Sequence, residues 1–171
     1  MPNAADAGVL DALLDSWDRN NTILVNLLRA LPDGALDLRA ADDSPSVARL
    51  FTHMHFVRVV FLNEDAPEFA RSLPEDEWRE EHDRDRIAAW LDESAAAVRD
   101  AVRSKVAAGG AMAVRYDHPI LFLQHMIWHE GYHHGQIKIA LKRAGQPLDD
   151  EKIGPVTWDV WMNKREPAGS R

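Results

Sequence analysis

Apolar residues return at three- and four-residue steps through most of this chain, and no stretch alternates with the two-residue period of a strand. Leu10, Leu13, Leu14, Trp17, Leu24, Leu27, Leu28 and Leu31 form the first helical stripe, which Pro32-Asp33-Gly34 stops. Asn20 and Asn21 interrupt it midway, so at least one amide is expected to point inward. A second helix opens with Ser44 as N-cap and Pro45 in the first helical position. It turns Val47, Leu50, Met54, Val57 and Phe61 inward and runs to about Leu62. The polar stretch that follows is broken by Pro67 and Pro74, and Glu75–Arg86 holds seven acidic and three basic residues, as a solvated loop and helix entrance does. A third helix uses Ile87, Trp90, Leu91, Ser94, Val98, Ala101 and Val102 and ends at Gly109-Gly110. The fourth starts near Asp117, has Pro119 in its first turn, and ends in a basic turn closed by glycine, Lys142-Arg143-Ala144-Gly145. Trp158, Val160, Trp161 and Met162 lie in a tail expected to fold back. The pattern predicts an all-α, antiparallel four-helix bundle with a short C-terminal segment packed on it, a single domain over 1–171 with an ordered core of about 6–163.

A chain of 171 residues can bury a core of its own without disulfide or metal staples. Its net charge of −8 argues against general nucleic-acid binding, which needs a basic footprint, and against anionic membrane surfaces. The polar start, Met1 to Asp6, carries no targeting pattern, so a cytoplasmic protein is expected. Cysteine is absent, which removes thiol nucleophiles and thiolate metal sites. Histidine is the exception: there are eight, and four crowd into residues 125–134.

On the fourth helix Phe122, Met126, Ile137, Ala140 and Ala144 make the inward stripe, and His129 and His133 fall at its centre. Imidazoles four residues apart project the same way and can share one metal. The alternative is two core histidines, each satisfied by a hydrogen bond; desolvating both without a common partner is costly. His125 and His134 lie to either side, about 60° and about 120° away, and His134 reads as surface. On the second helix His53 borders the apolar stripe, whereas His55 points about 130° away from it. His53 is therefore the candidate third ligand. Three imidazoles leave a coordination position open, as catalytic rather than structural sites do.

Ser46-Val-Ala-Arg-Leu-Phe-Thr-His53-Met-His55 with Val57-Arg58 and Leu62 resembles the second-helix motif of the DinB (damage-inducible, YfiT-like) family. His125-Met-Ile-Trp-His129-Glu-Gly-Tyr-His133-His134-Gly135-Gln136-Ile137 and the later Ala-Gly-Gln-Pro-Leu148 resemble its last-helix motif. The resemblance implies a four-helix bundle, a divalent metal, often nickel or zinc, held by His53, His129 and His133, and a homodimer. It further implies a metal-dependent enzyme acting on small molecules, a thiol-dependent S-transferase or related transferase or isomerase, with a low-molecular-weight thiol as co-substrate. The family commonly has Arg before Gly-Gln; here that residue is His134, which removes whatever that Arg does for an anionic substrate or a dimer contact.

Two other readings compete. His129-Glu130-Gly131-Tyr132-His133 is a literal H-E-x-x-H, which would make Glu130 the base of a metal-dependent hydrolase. The extended metzincin form fails at Gln136 and Ile139, and no strand is available to bind an extended peptide. The other is a non-catalytic metal-binding stress-response module, expected to show Phe122, Met126 and Trp128 packed over the metal. His82 and His118 sit at helix entrances without a functional argument.

Overall fold

The computed structural model describes residues 4–163, with side chains from residue 8 onward. Its long helices are α1 (Ala4–Ala30), α2 (Val47–Asp65), α3 (Arg84–Ala107) and α4 (Pro119–Arg143), followed by the short α5 (Asp150–Ile153) and α6 (Trp158–Met162). No strand occurs among the described residues; Arg39 and Ser46 form an isolated bridge. Among the described residues, no helix is long and apolar enough to cross a membrane.

The boundaries follow local chemistry. Gly109 and Gly145 take positive φ of 60° and 71° just past the ends of α3 and α4, a conformation in which a side chain would be strained. The cap of α2 is Ser46 rather than Ser44: its Oγ accepts from the Arg49 amide at 3.2 Å. Ser44 is tied instead to the preceding turn, its N–H donating to Ala41, and the bridge to Arg39 keeps Ser46 extended until the helix begins. At the other end α2 runs on to Asp65, whose buried Oδ1 accepts the amides of Val114 and Arg115 and so anchors the α3–α4 connection.

The core is two apolar clusters stacked along the bundle. One gathers the end of α1 (Leu24, Leu28), the start of α2 (Leu50, Phe51, Met54), the start of α3 (Ile87, Leu91) and the end of α4 (Ile137, Leu141). The other gathers the start of α1 (Leu14, Trp17), the end of α2 (Leu62), the second half of α3 (Val98, Val102) and the start of α4 (Phe122, Met126). Each fully buried Leu or Phe contributes roughly 1.5–3 kcal/mol. These memberships fix the directions: α1 and α4 run one way, α2 and α3 the other. Each helix packs on an antiparallel neighbour, α1 on α3 and α2 on α4, while α2 and α3 lie side by side and parallel. A parallel pair needs a crossover, and residues 66–83 supply it, running back along the bundle beside α2.

The C-terminal segment folds back onto α1 as the pattern predicts. Arg19 donates to the carbonyls of Val160, Trp161 and Asn163, and Asn26 donates to that of Val156 at 2.9 Å.

Candidate metal centre

Where α2 faces α4, His53, His129 and His133 meet. Nε2 of His129 lies 3.2 Å from Nε2 of His53 and 3.0 Å from Nε2 of His133, and the three candidate ligand atoms all fall within 4.8 Å of one another. An ion in tetrahedral coordination, with bonds of about 2.0–2.1 Å to imidazole, needs ligand nitrogens about 3.3 Å apart. The two separations from His129 are close to that spacing, so the residues present fit a divalent transition metal.

The surroundings prepare the rings as ligands. His133 Nδ1 lies 2.7 Å from Gln136 Oε1, an acceptor, which puts the proton on Nδ1 and leaves the Nε2 lone pair facing the cluster. Gln136 is held in that orientation by donating to the Tyr132 hydroxyl at 3.2 Å. His53 is stacked flat on Trp78, centroids 4.0 Å apart and 3° from parallel, and its Nδ1 sits 3.0 Å from Glu77 Oε1 without hydrogen-bond alignment. Desolvation, reinforced by the neighbouring rings, lowers the pKa of His129 to about 3 and of His53 to about 4, and burial lowers that of His133. All three are neutral at pH 7, the form that binds metal. Three lone pairs crowded at such distances repel unless a proton or a cation lies between them, and Nδ1 of His129 has no partner of its own.

Glu130, between the two α4 histidines in sequence, points elsewhere. It is 1 % exposed, and both its oxygens are taken: Oε1 by Arg58 Nε at 2.5 Å, Oε2 by Arg58 Nη2 at 2.9 Å and Asn20 Nδ2 at 2.5 Å. Arg58, 0 % exposed, also donates through Nη1 to Asn21 Oδ1 and the Leu91 carbonyl, and its guanidinium lies 4.7 Å over the Trp17 ring. Asn21 in turn donates to Asp92. The result is a hydrogen-bonded polar layer joining all four long helices between the two apolar clusters. Both Asn20 and Asn21 belong to it. A base would need a free lone pair directed at the reacting group, and here the carboxylate is spent on the guanidinium. In the sequence Arg58 stands on the apolar stripe, four residues after Met54 and four before Leu62, with no local signal of the partner it meets.

The other histidines separate. His55 does not point into solvent: it is buried against Trp90 of α3, ring centroids 5.8 Å apart, because the crossover covers that side of α2. There it lines a cavity of about 420 Å³ with Thr52, Trp90, Arg79 and Leu73. Burial, then the charge of Arg58, lowers its pKa to about 4. His125 accepts or donates at 2.8 Å with the Tyr116 hydroxyl, His134 is half-buried, and His118 caps α4 through the Ile120 amide. His82 pairs with Asp37 at 2.8 Å in an exposed position, which raises its pKa. Phe122 and Met126 are buried in the core and Trp128 is 70 % exposed on the outside, so none of the three covers the histidine cluster.

A sequence model described as the DinB family matches residues 1–150, most of the chain. Neither a curated protein nor a solved structure matches it. The chain belongs to the DinB family, and its helical bundle with a three-histidine cluster agrees with that membership.

Proposed function

We propose that this DinB-family protein is a metal-dependent enzyme of small molecules, a thiol-dependent S-transferase or a related transferase or isomerase, with His53, His129 and His133 as its metal ligands. The observation that carries the reading is the convergence of three neutral imidazole nitrogens, two of them 3.0 and 3.2 Å from the third, with no fourth ligand in the cluster among the described residues. Such a donor set suits nickel or zinc and leaves room for an exogenous ligand. A divalent ion held there supplies Lewis acidity and lowers the pKa of a thiol or water brought to it.

The chain's own residues do the positioning. Trp78 fixes the plane of the His53 ring by stacking, and Gln136 fixes the tautomer of His133. Glu77 places a carboxylate beside His53 Nδ1, where it favours a proton on that nitrogen and a lone pair on Nε2. The cysteine-free sequence means that any thiol comes from outside. The hydrolase alternative would require Glu130 to leave Arg58, which holds both its oxygens; the non-catalytic alternative is favoured by a covered cluster, and His53 and His133 are buried with Trp78 stacked on His53.

The test is metal-dependent conjugation across a panel of low-molecular-weight thiols and electrophiles, with nickel- and zinc-loaded protein. Turnover that disappears in His129→Ala and His133→Ala supports the proposal. Absence of turnover with every thiol, together with metal-dependent hydrolysis of an ester or amide, overturns the transferase reading.

A further inference from the structure

The cavity of about 420 Å³ between α2, α3 and the crossover has the size of a small-molecule site, and none of the three candidate metal ligands lines it. The body of α2 stands in between. His53 and His55 are two residues apart and so about 200° apart around the helix, one turned to α4 and the other to α3.

The floor of the cavity is built by the helices. Positions 52, 55 and 59 of α2 and 90 and 94 of α3 follow three- and four-residue steps, so each set shares a face. Thr52, His55, Val59 and Ser94 are all buried there. Each hydroxyl spends its proton on a main-chain carbonyl, Thr52 on that of Arg79 at 2.8 Å and Ser94 on that of Trp90 at 2.9 Å. Toward the cavity they offer lone pairs only. His55 is 8 % exposed, and its buried Nδ1 has no hydrogen-bond partner. A buried polar atom left in that state is costly, and here it stands beside a space large enough for a ligand that would satisfy it.

The distribution of charge says what kind of ligand. Arg71, Arg79, Glu75, Asp76 and Glu93 line the cavity, but all five are exposed and sit at its rim, with both signs present. The floor holds no carboxylate, ammonium or guanidinium. Arg58 lies behind Ser94, and its charge is already met by Glu130. An ion pushed to the floor would therefore lose its hydration without gaining a counter-charge. Val59, Trp90 and Leu73 give the walls an apolar character, and Leu73, 50 % exposed at the opening, is a surface that an occupant would cover. A hydroxyl suits the floor because it donates to the waiting lone pairs and also accepts.

We propose that this cavity is a second binding site, separate from the metal centre, for an uncharged, largely apolar small molecule whose buried end carries a hydroxyl. The proposal stands whether or not the histidine cluster holds a metal or supports an activity.

A ligand-observed NMR titration with naphthol, an aromatic alcohol uncharged at pH 7, tests it, with naphthoate as the charged counterpart. Naphthol is expected to bind with a Kd below about 1 mM, and naphthoate about 10-fold more weakly or not at all. His55→Leu, which removes the unpaired nitrogen, should weaken naphthol about 5–10-fold. Leu73→Ala alters an exposed crossover residue and leaves the helical core intact, and it should weaken naphthol as well. His129→Ala should leave naphthol binding unchanged. Absence of binding up to the solubility of naphthol overturns the proposal, as does naphthoate binding as tightly as naphthol. So does binding that survives either His55→Leu or Leu73→Ala in folded protein, or binding lost in His129→Ala, which would move the ligand to the metal centre.

Discussion

Replacing Glu130 by Gln tests whether the carboxylate is a structural partner of Arg58 or a reagent. In the wild type Arg58 is 0 % and Glu130 1 % exposed, and two charge-assisted bonds of 2.5 and 2.9 Å join them. The substitution keeps the volume but leaves the guanidinium buried without a counter-charge. It also forces the new amide to turn a donor toward Arg58 or Asn20, which are themselves donors at those positions. Breaking one side of a buried ion pair costs about 3–5 kcal/mol. For a chain of this size that corresponds to a melting temperature lower by roughly 6–20 °C. Urea denaturation should show a lower midpoint with an unchanged slope, because the surface exposed on unfolding is the same. Arg58→Met/Glu130→Leu removes both charges and is expected to recover much of the loss, giving a coupling energy of at least about 1 kcal/mol in a double-mutant cycle. Activity should fall only as far as the folded fraction falls. A Glu130→Gln protein within about 1 kcal/mol of wild type would refute the structural assignment. Full stability with selective loss of metal-dependent hydrolysis would restore Glu130 as a base.

Metal analysis of purified protein should find about one divalent ion per chain, lost in His129→Ala and in His133→Ala; equal content in all three proteins would remove the ligand assignment. Glu77→Ala and Gln136→Leu should weaken metal binding about 10–100-fold without removing it, as outer partners of ligands do, and competition with a chelating dye would read this. The metal-free protein should lose stability as pH falls from about 6.5 toward about 4, since His53 and His55 are held neutral in the fold down to about 4 but take up protons near 6.5 once unfolded. Each contributes at most about 1.4 kcal/mol per pH unit in that window, so His55→Gln should flatten urea-derived stability plotted against pH, and a slope unchanged by the substitution would refute the assignment.

The helices were legible because their apolar spacing is regular and their ends carry proline, glycine or a basic turn. His129 and His133 were legible for the same reason: they occupy places on the stripe where Leu or Ile would pack. Arg58 meets the same criterion, yet a lone arginine among apolar residues announces no chemistry until Glu130 and Asn21 are seen around it. The angle of His55 on α2 points it outward; only the crossover lying on that side buries it, and crossover placement depends on α2 and α3 being parallel. Trp78 and Glu77 were hidden in a charged loop whose period says nothing about where it lands. Ser44 and Ser46 both suit a cap, and the choice between them rests on a bridge to Arg39 that has no local signature.

The polar layer has a bearing on measurement as well as on stability. Leu, Val and Ala in the two apolar clusters would still find greasy neighbours if α2 slid one turn along α4. Arg58 and Glu130 would not find each other, for one turn is about 5.4 Å and a hydrogen bond fails well within that distance. His53 stands five residues before Arg58, and His129 and His133 flank Glu130. The ion pair therefore acts as a detent that sets α2 against α4 at a single notch, and the spacing of the three imidazoles is gauged from it.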